Sequence, residues 1–325
     1  MEEQFFEQRT DLSHLSQAVE NIRQTISKVV IGQQEALDLL IIGILADGHV
    51  LIEGVPGVAK TLMAKLLAKS IDAKFSRIQF TPDLMPSDVL GTSIFNQKTF
   101  EFEFKHGPVF GNIILIDEIN RAPAKTQSAL FEVMEERQVT IDGQRYPMTE
   151  PFIVIATQNP VEHEGTYRLP EAQLDRFLFK VEVRYPGLEE EIGIIAGQHQ
   201  QKPADQLNEI EPVLSAEDII ALRQQVRGFY VEPKLIEFVA NIVHETRNNN
   251  ALYLGASPRA SLAVINSAKA LAAIRGRDFV TPEDIIWVAP AVLRHRIVLM
   301  PDKEMEGVST NEVVKQIIQK IEIPR

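Results

Sequence analysis

Gly54-Val55-Pro56-Gly57-Val58-Ala59-Lys60-Thr61 is the stretch from which the fold of this chain can be read. It follows a short apolar run, His49-Val50-Leu51-Ile52, and leads into a segment with Met63, Leu66 and Leu67 at helical spacing. A strand, a Gly-rich loop and a helix in that order are the context of a phosphate-binding loop. Small residues let the backbone curl until successive N–H groups face one anion, and the helix N-terminus adds its dipole. Lys60 is then placed to reach the β- and γ-phosphates, and Thr61 to set its hydroxyl on Mg²⁺. Gly54, Val55, Pro56, Gly57, Val58, Ala59, Lys60, Thr61 and Leu62 are accordingly the candidate nucleotide-binding residues. Ala59 stands where the last Gly of the general pattern is usual. Ala tolerates a right-handed helical start, so the loop is expected to survive the exchange. The plainer alternative is an ordinary Gly-Pro turn between strand and helix.

Upstream, residues 11–29 read as an amphipathic helix, with Leu15, Ala18, Val19, Ile22 and Ile26 on one face. Val29 to Gln33 breaks it, and a second apolar helix over about 34–46 leads to the first strand. Downstream, Phe75 to Phe80 alternates like a strand, and Pro82 and Pro86 mark a loop. Two hairpin signals follow. In the first, Phe100, Phe102 and Phe104 alternate with Glu101, Glu103 and Lys105, giving one apolar face that is expected to seal the core, the alternative being contact with another protein. In the second, Val139 and Ile141 run through Asp142-Gly143 to Tyr146 and Met148, the strongest short hairpin signal available. Between them lie the apolar run Asn112 to Ile116 and a helix of about 123–136. That run, Phe152 to Ala156 and Leu178 to Val183 have the look of strands buried on both faces of a parallel sheet. Strands alternating with helices give an α/β fold, a doubly wound parallel sheet. After about residue 204 only helices are expected, over 215–227, 233–247, 257–275, 281–293 and 310–321. Two domains follow, 1–204 and 205–325, with the boundary in the polar stretch Gln200 to Pro212.

Composition agrees with an ordinary globular chain: of 325 residues, 45% are hydrophobic and 24% charged. The formal net charge of −12, with no Lys/Arg block, argues against a general nucleic-acid binder. Absence of cysteine excludes disulfides and Cys-ligated zinc. The apolar run Leu39 to Ala46 falls far short of the roughly 20 residues a membrane span requires. Met1 to Glu7 is acidic, without the basic start of a signal peptide, so a cytoplasmic location is expected.

Five further residues carry chemistry. Asp117-Glu118 ends the central apolar strand, at the carboxyl edge where such sheets bind ligands. Asp117 is placed to bind Mg²⁺ and Glu118 to polarise an attacking water as general base; alone, the pair would read as solvated loop charge. Asn159 ends the next strand, where it can hydrogen-bond water and γ-phosphate, or simply make an Asn-Pro turn. Arg176, in Leu174-Asp175-Arg176-Phe177, either pairs locally with Asp175 or projects from the domain edge into a neighbouring subunit's γ-phosphate. Arg259 follows Ser257-Pro258 in the first turn of a helix, where the dipole disfavours a cation. An anion is therefore expected beside it, a phosphate or another carboxylate.

Taken together, the Gly54–Thr61 loop, Ile116-Asp117-Glu118-Ile119-Asn120-Arg121, Ala156-Thr157-Gln158-Asn159-Pro160 and Glu171-Ala172-Gln173-Leu174-Asp175-Arg176-Phe177 resemble the MoxR branch of the AAA+ ATPases. The resemblance covers about residues 28–300, and in that family the Ala before the Lys is itself usual. It implies a Walker A motif at Lys60 and Thr61, Walker B at Asp117 and Glu118, sensor 1 at Asn159, an arginine finger at Arg176 and sensor 2 at Arg259. It sets Val30 and Ile31 at the position that packs on adenine, makes the hairpins the inserts of the helix-2-insert group, and makes the helical end the AAA+ lid. It further implies a homo-oligomer, commonly a hexameric ring. Such a ring hydrolyses ATP with Mg²⁺ at subunit interfaces and remodels a separate client, or matures or metal-loads a partner carrying a von Willebrand factor A domain. The alternatives are a motor acting on nucleic acid and a nucleotide-dependent scaffold that does not turn over.

Overall fold

The computed structural model describes residues 12–160, 166–200 and 210–324. A strand apolar at both odd and even positions must be covered on both faces. Ile113 and Leu115 join one buried cluster while Ile114 and Ile116 join another. The same parity separates Val50 and Ile52 from Leu51, and Ile153 and Ile155 from Val154 and Ala156. Among the described residues these runs form one sheet of five parallel strands. They are β1 (His49–Gly54), β2 (Phe75–Gln79), β3 (Ile113–Asp117), β4 (Ile153–Gln158) and β5 (Phe177–Val183), in the spatial order β5-β1-β4-β3-β2. The chain leaves β1 for the far edge and works back, so the carboxyl ends of β1, β3 and β4 come together at the topological switch.

One face carries α1 (Ser13–Ser27), α2 (Gln34–Leu45), α3 (Lys60–Lys69) and the helical C-terminal part; the other carries α4 (Ala124–Glu136) and the hairpins. After β5 come α5 (Leu188–Gln200), α6 (Ala216–Arg227), α7 (Pro233–Asn248), α8 (Pro258–Ile274), α9 (Pro282–Leu293) and α10 (Thr310–Lys320). Their starts are written locally. Ser215 Oγ accepts from Asp218 N at 3.0 Å while Asp218 accepts from Ser215 N at 2.8 Å, a reciprocal cap that Ser309 and Glu312 repeat at α10. The helical part is not purely helical. Leu214–Ser215 pairs with Ile71–Asp72 beyond α3, and Leu252–Leu254 pairs with Val298–Leu299. Of the stretch 200–212 expected to hold a boundary, residues 201–209 lie outside the described residues.

Both hairpins form, Gly91–Asn96 with Glu101–His106 and Gln138–Ile141 with Gln144–Pro147. The second turns through Asp142 at φ 50° and Gly143 at φ 78°, the pair of positive φ angles that matches strand twist. The expectation that Phe100, Phe102 and Phe104 all seal the core is corrected. Only Phe104 does so, its ring centroid 4.4 Å from Tyr146 and 5.8 Å from Phe110. Phe100 is 79% and Phe102 74% exposed. Antiparallel register puts Phe95 opposite Phe102 and Ser93 opposite Phe104, so one apolar face runs the length of the hairpin. Only its root reaches the body of the protein, and Phe95, Phe100 and Phe102 cluster together beyond it.

Candidate active site at two edges of one sheet

Asp117 ends β3, 3% exposed, and is held from three sides. Thr61 Oγ1 donates to its Oδ1 at 2.9 Å, Thr157 Oγ1 to the same oxygen at 3.3 Å, and Arg77 Nε to Oδ2 at 2.7 Å. The next residue leaves the sheet sharply. Glu118 takes φ 58° and ψ 54°, its amide donates to Thr157 Oγ1 at 3.1 Å, and its side chain meets a different set of partners. There Glu118 Oε2 accepts from Gln79 at 2.9 Å and lies 3.1 Å from Arg121 Nε. One carboxylate is thus buried among donors and the other half-exposed.

In the loop, Pro56 and Gly57 form an exposed crown while Val58 is buried and Val55, Ala59 and Leu62 pack partly against the core. Gly57 has φ 84° with nothing within 4 Å of where a Cβ would stand, so the backbone conformation requires glycine and the space is not filled by side chains. Ala59 corrects the sequence reading: it caps α3 at φ 58° and ψ 23°, left-handed and not right-handed. That conformation explains why Gly is the general choice there. Lys60 Nζ donates to the carbonyls of Gly54 and, at 3.1 Å, Gln158, bridging the ends of β1 and β4. Asn159, 6% exposed, follows directly beyond β4. The paired hydroxyl and carboxylate of Thr61 and Asp117 are hard oxygen donors of the kind Mg²⁺ takes beside phosphate, so the residues fit that ion.

Arg176 and Arg259 lie at the other end of the sheet. Arg176 directly precedes β5, and Phe177 is in register with His49 at the start of β1, whereas Val183 pairs with Gly54 at the phosphate-binding loop. Five residue steps of about 3.3 Å, or roughly 17 Å, separate the two edges. Arg176 Nη1 donates to Phe131 O at 2.6 Å and lies 3.8 Å from Glu135 Oε2; Arg259 Nη2 meets the same Glu135 oxygen at 2.8 Å. Glu135 is therefore the anion that the helix start of Arg259 called for, and the hydrogen bond from Arg259 holds its carboxyl below the ordinary range. Asp175 does not pair with Arg176; its carboxylate accepts from Arg296 of the helical part at 2.7 Å.

Val30 is buried and Ile31 half-buried just before Gly32, which lines a cavity of about 390 Å³ between core and helical part. Val181 and Glu182 of β5, with Arg184 just beyond it, form another wall, and that strand is the one that touches Gly54. The cavity thus adjoins the loop edge of the sheet.

Residues 49–179 match the ATPase family associated with various cellular activities (AAA), and residues 244–317 match the AAA lid domain. The chain is 46% identical over 309 residues to "Chaperone MoxR1" of Mycobacterium tuberculosis, covering 92% of this chain and 81% of that one. It belongs to the MoxR family of AAA ATPases. An uncharacterised Bacillus subtilis protein, YeaC, is 48% identical over 95% of both chains. The crystal structure of a putative ATPase from Cytophaga hutchinsonii superimposes with a TM-score of 0.88 at 42% identity, covering 97% of each chain.

Within this MoxR-family site the sequence reading missed Arg77 and Gln79. Both sit on β2, two residues apart and so on one face, beside Asp117 and Glu118. The alternation of Phe75 to Phe80 was legible, but neighbourhood of β2 and β3 was not. Glu135 and Arg296 were missed for the same reason: each meets its partner only through tertiary packing. Among the described residues no helix is long and apolar enough to cross a membrane.

Proposed function

We propose that this chain is a Mg²⁺-dependent ATPase that works as a ring, commonly a hexamer, and spends hydrolysis on remodelling or maturing a separate client protein. The observation that carries this reading is the distance between the edges. Lys60, Thr61, Asp117 and Glu118 lie at one edge of the sheet, and Arg176 with Arg259 at the other, roughly 17 Å away along strands of about 3.3 Å per residue. No side chain spans that gap, so the two arginines cannot serve their own subunit's phosphate. A ring in which the arginine edge of one copy faces the loop edge of the next joins the halves. On this reading Arg259 acts in trans, beside Arg176.

The roles follow from placement. The loop amides and Lys60 hold the phosphates, with Lys60 exchanging its two carbonyl partners for them. Bound at Thr61 and Asp117, Mg²⁺ supplies charge neutralisation on the phosphates. Glu118 takes the proton of the attacking water, and Asn159 orients that water without adding charge. Arg176 and Arg259 of the neighbour stabilise the charge that develops on the transferred group. The purine occupies the cavity beside Val30, Ile31 and Gly32. Three rings exposed beyond the body, Phe95, Phe100 and Phe102, support the remodelling part of the reading by offering a surface to an apolar client segment. Whether that client carries a von Willebrand factor A domain, and whether it receives a metal, goes with the family resemblance.

The test is ATP turnover per subunit across a wide range of protein concentration in Mg²⁺ buffer, with Arg176→Ala alongside. The specific rate should climb with concentration and level off. Arg176→Ala should lose about 10³-fold and recover when mixed with Lys60→Ala subunits, which contribute an intact arginine. A rate flat from dilute solution upward, or no recovery on mixing, rules out sites shared between subunits.

A further inference from the structure

The segment that presents Arg176 is held in place from the helical part of the same subunit. A guanidinium has five N–H bonds in a planar fork, and Arg296, whose side chain is 3% exposed, uses all of them. Nε donates to Asp175 Oδ1 at 2.7 Å. Nη2 donates to Asp175 O at 3.1 Å and Phe177 O at 2.6 Å. Nη1 donates to Leu178 O at 3.0 Å and Val292 O at 2.5 Å. Four of the five acceptors thus bracket Arg176, before and after it in the chain. His295 adds a bond from Nε2 to Phe177 O at 3.0 Å.

Two features make this more than a domain anchor. The carboxylate of Asp175 is adjacent in sequence to Arg176 and would neutralise it. By taking Asp175, Arg296 leaves the Arg176 guanidinium to Phe131 O and Glu135. The other feature is position. Trp287, Pro290 and Arg294, on α9 and at its end, line the 390 Å³ cavity between core and helical part. Arg296 lies two residues beyond Arg294, in the turn that follows, and Arg296 N donates to Leu293 O at 2.8 Å. One short rigid element therefore touches the subunit's own cavity at one end and the backbone of Arg176 at the other.

Resting on the reading that Arg176 acts on a neighbour's nucleotide, we propose that Arg296 is a positioning residue for Arg176. It fixes the backbone on both sides of Arg176 and ties the presentation of that arginine to the seating of the helical part over the same subunit's cavity. Arg296 touches no substrate and reaches the chemistry only through Arg176.

The experiment uses the full chain with Arg296→Lys, which keeps the charge but loses the planar fork, and Asp175→Ala, which removes the carboxylate that anchors the fork at its Nε. Each is measured for steady-state turnover and for binding of a fluorescent ATP analogue, alone and mixed with Lys60→Ala subunits; Arg176→Ala is the control. A misplacement of about 1 Å costs up to ~10²-fold, so turnover should fall about 10- to 100-fold. Analogue affinity should stay within about twofold, because each subunit's own phosphate-binding loop is untouched. Mixing with Lys60→Ala should restore turnover. Asp175→Ala gives the reading on its own if Arg296→Lys does not fold. Normal turnover in the folded variants overturns the proposal, as does a loss that mixing does not repair, since the defect then lies in the variant's own nucleotide site. If Arg176→Ala itself is not repaired by mixing, the parent reading has failed and the role assigned to Arg296 goes with it.

Discussion

The two edges of the sheet are built from different materials. At the carboxyl edge the groups come from β1, β2, β3, β4 and α3, and each lies at or near a strand end: Lys60 and Thr61 after β1, Asp117 and Glu118 after β3, Thr157 and Asn159 at β4. At the amino edge the core and the helical part contribute together, and cations prevail. Arg137, Arg223 and Arg227 meet Asp47; Arg176 and Arg259 meet Glu135; Arg296 meets Asp175. An edge rich in hydrogen-bond donors around one buried carboxylate suits a bound phosphate and its ion. An edge rich in arginine suits a phosphate held by something else. Under the proposed reading, each subunit carries complementary halves of two sites.

The largest effect that separates the edges comes from the carboxyl edge. Lys60→Ala should abolish binding of a fluorescent ATP analogue, whereas Glu118→Gln should bind it normally and lose turnover by ~10²-fold or more, the range of a general base. Arg176→Ala at the amino edge should resemble Glu118→Gln in binding, but only Arg176→Ala should be repaired by Lys60→Ala subunits. If Glu118→Gln hydrolyses ATP at the normal rate, the base is another group.

A second effect belongs to the amino edge and is read in stability. His49 opens β1 fully inside the protein; Val154 N donates to its Nδ1 at 2.9 Å, and its Nε2 sits 3.1 Å from Met134 O. The ring is therefore neutral, with the proton on Nε2. Burial, with Arg137 nearby, lowers its pKa to about 4 from 6.5. A folded-state pKa below the unfolded value means the unfolded chain binds the extra proton. The stability from this group is intact above pH 6.5 and is lost as pH falls toward 4. At about 1.4 kcal/mol per pKa unit, the loss over that window is on the order of 3 kcal/mol. His295, held well below its ordinary value by burial, steepens the same slope. His49→Gln keeps one donor and one acceptor without titrating. Denaturation midpoints at pH 7 and pH 5 should differ less for it than for the parent chain; an equal difference would remove His49 from the account.

The carboxyl edge was legible in the sequence because its groups are tied to strand ends by chain connectivity. A Gly-rich loop after β1 and two carboxylates after β3 announce themselves within a few residues. The parallel sheet was legible too, because runs such as Ile113 to Ile116 leave no polar face. The amino edge was not. Arg176 and Arg259 were visible as isolated cations, yet their shared partner Glu135 sits in the last turn of an unremarkable helix. Nothing local tells that Arg296 will cross to Asp175, 121 residues away. The exposed Phe100 and Phe102 failed for a related reason: alternation gives a face, and only the fold says how far the body extends beneath it.

Backbone strain sharpens the comparison at its finest scale. Both edges hold residues at positive φ, but those at the amino edge have local causes: Arg137 ends α4 as a left-handed cap, and Asp47 turns the chain into β1. Ala59 and Glu118 have no such cause, and both belong to the phosphate edge. For Ala the left-handed conformation costs about 1–2 kcal/mol, offset on replacement by the greater freedom that Gly gives the unfolded chain, about 0.4–1 kcal/mol. Ala59→Gly should therefore stabilise the protein slightly, by about 0.5–1 kcal/mol in denaturant melts, with analogue binding retained. A clear loss of stability would mean that the loop favours this conformation through its surroundings, and the carboxyl edge would then hold no more strain than the amino edge does.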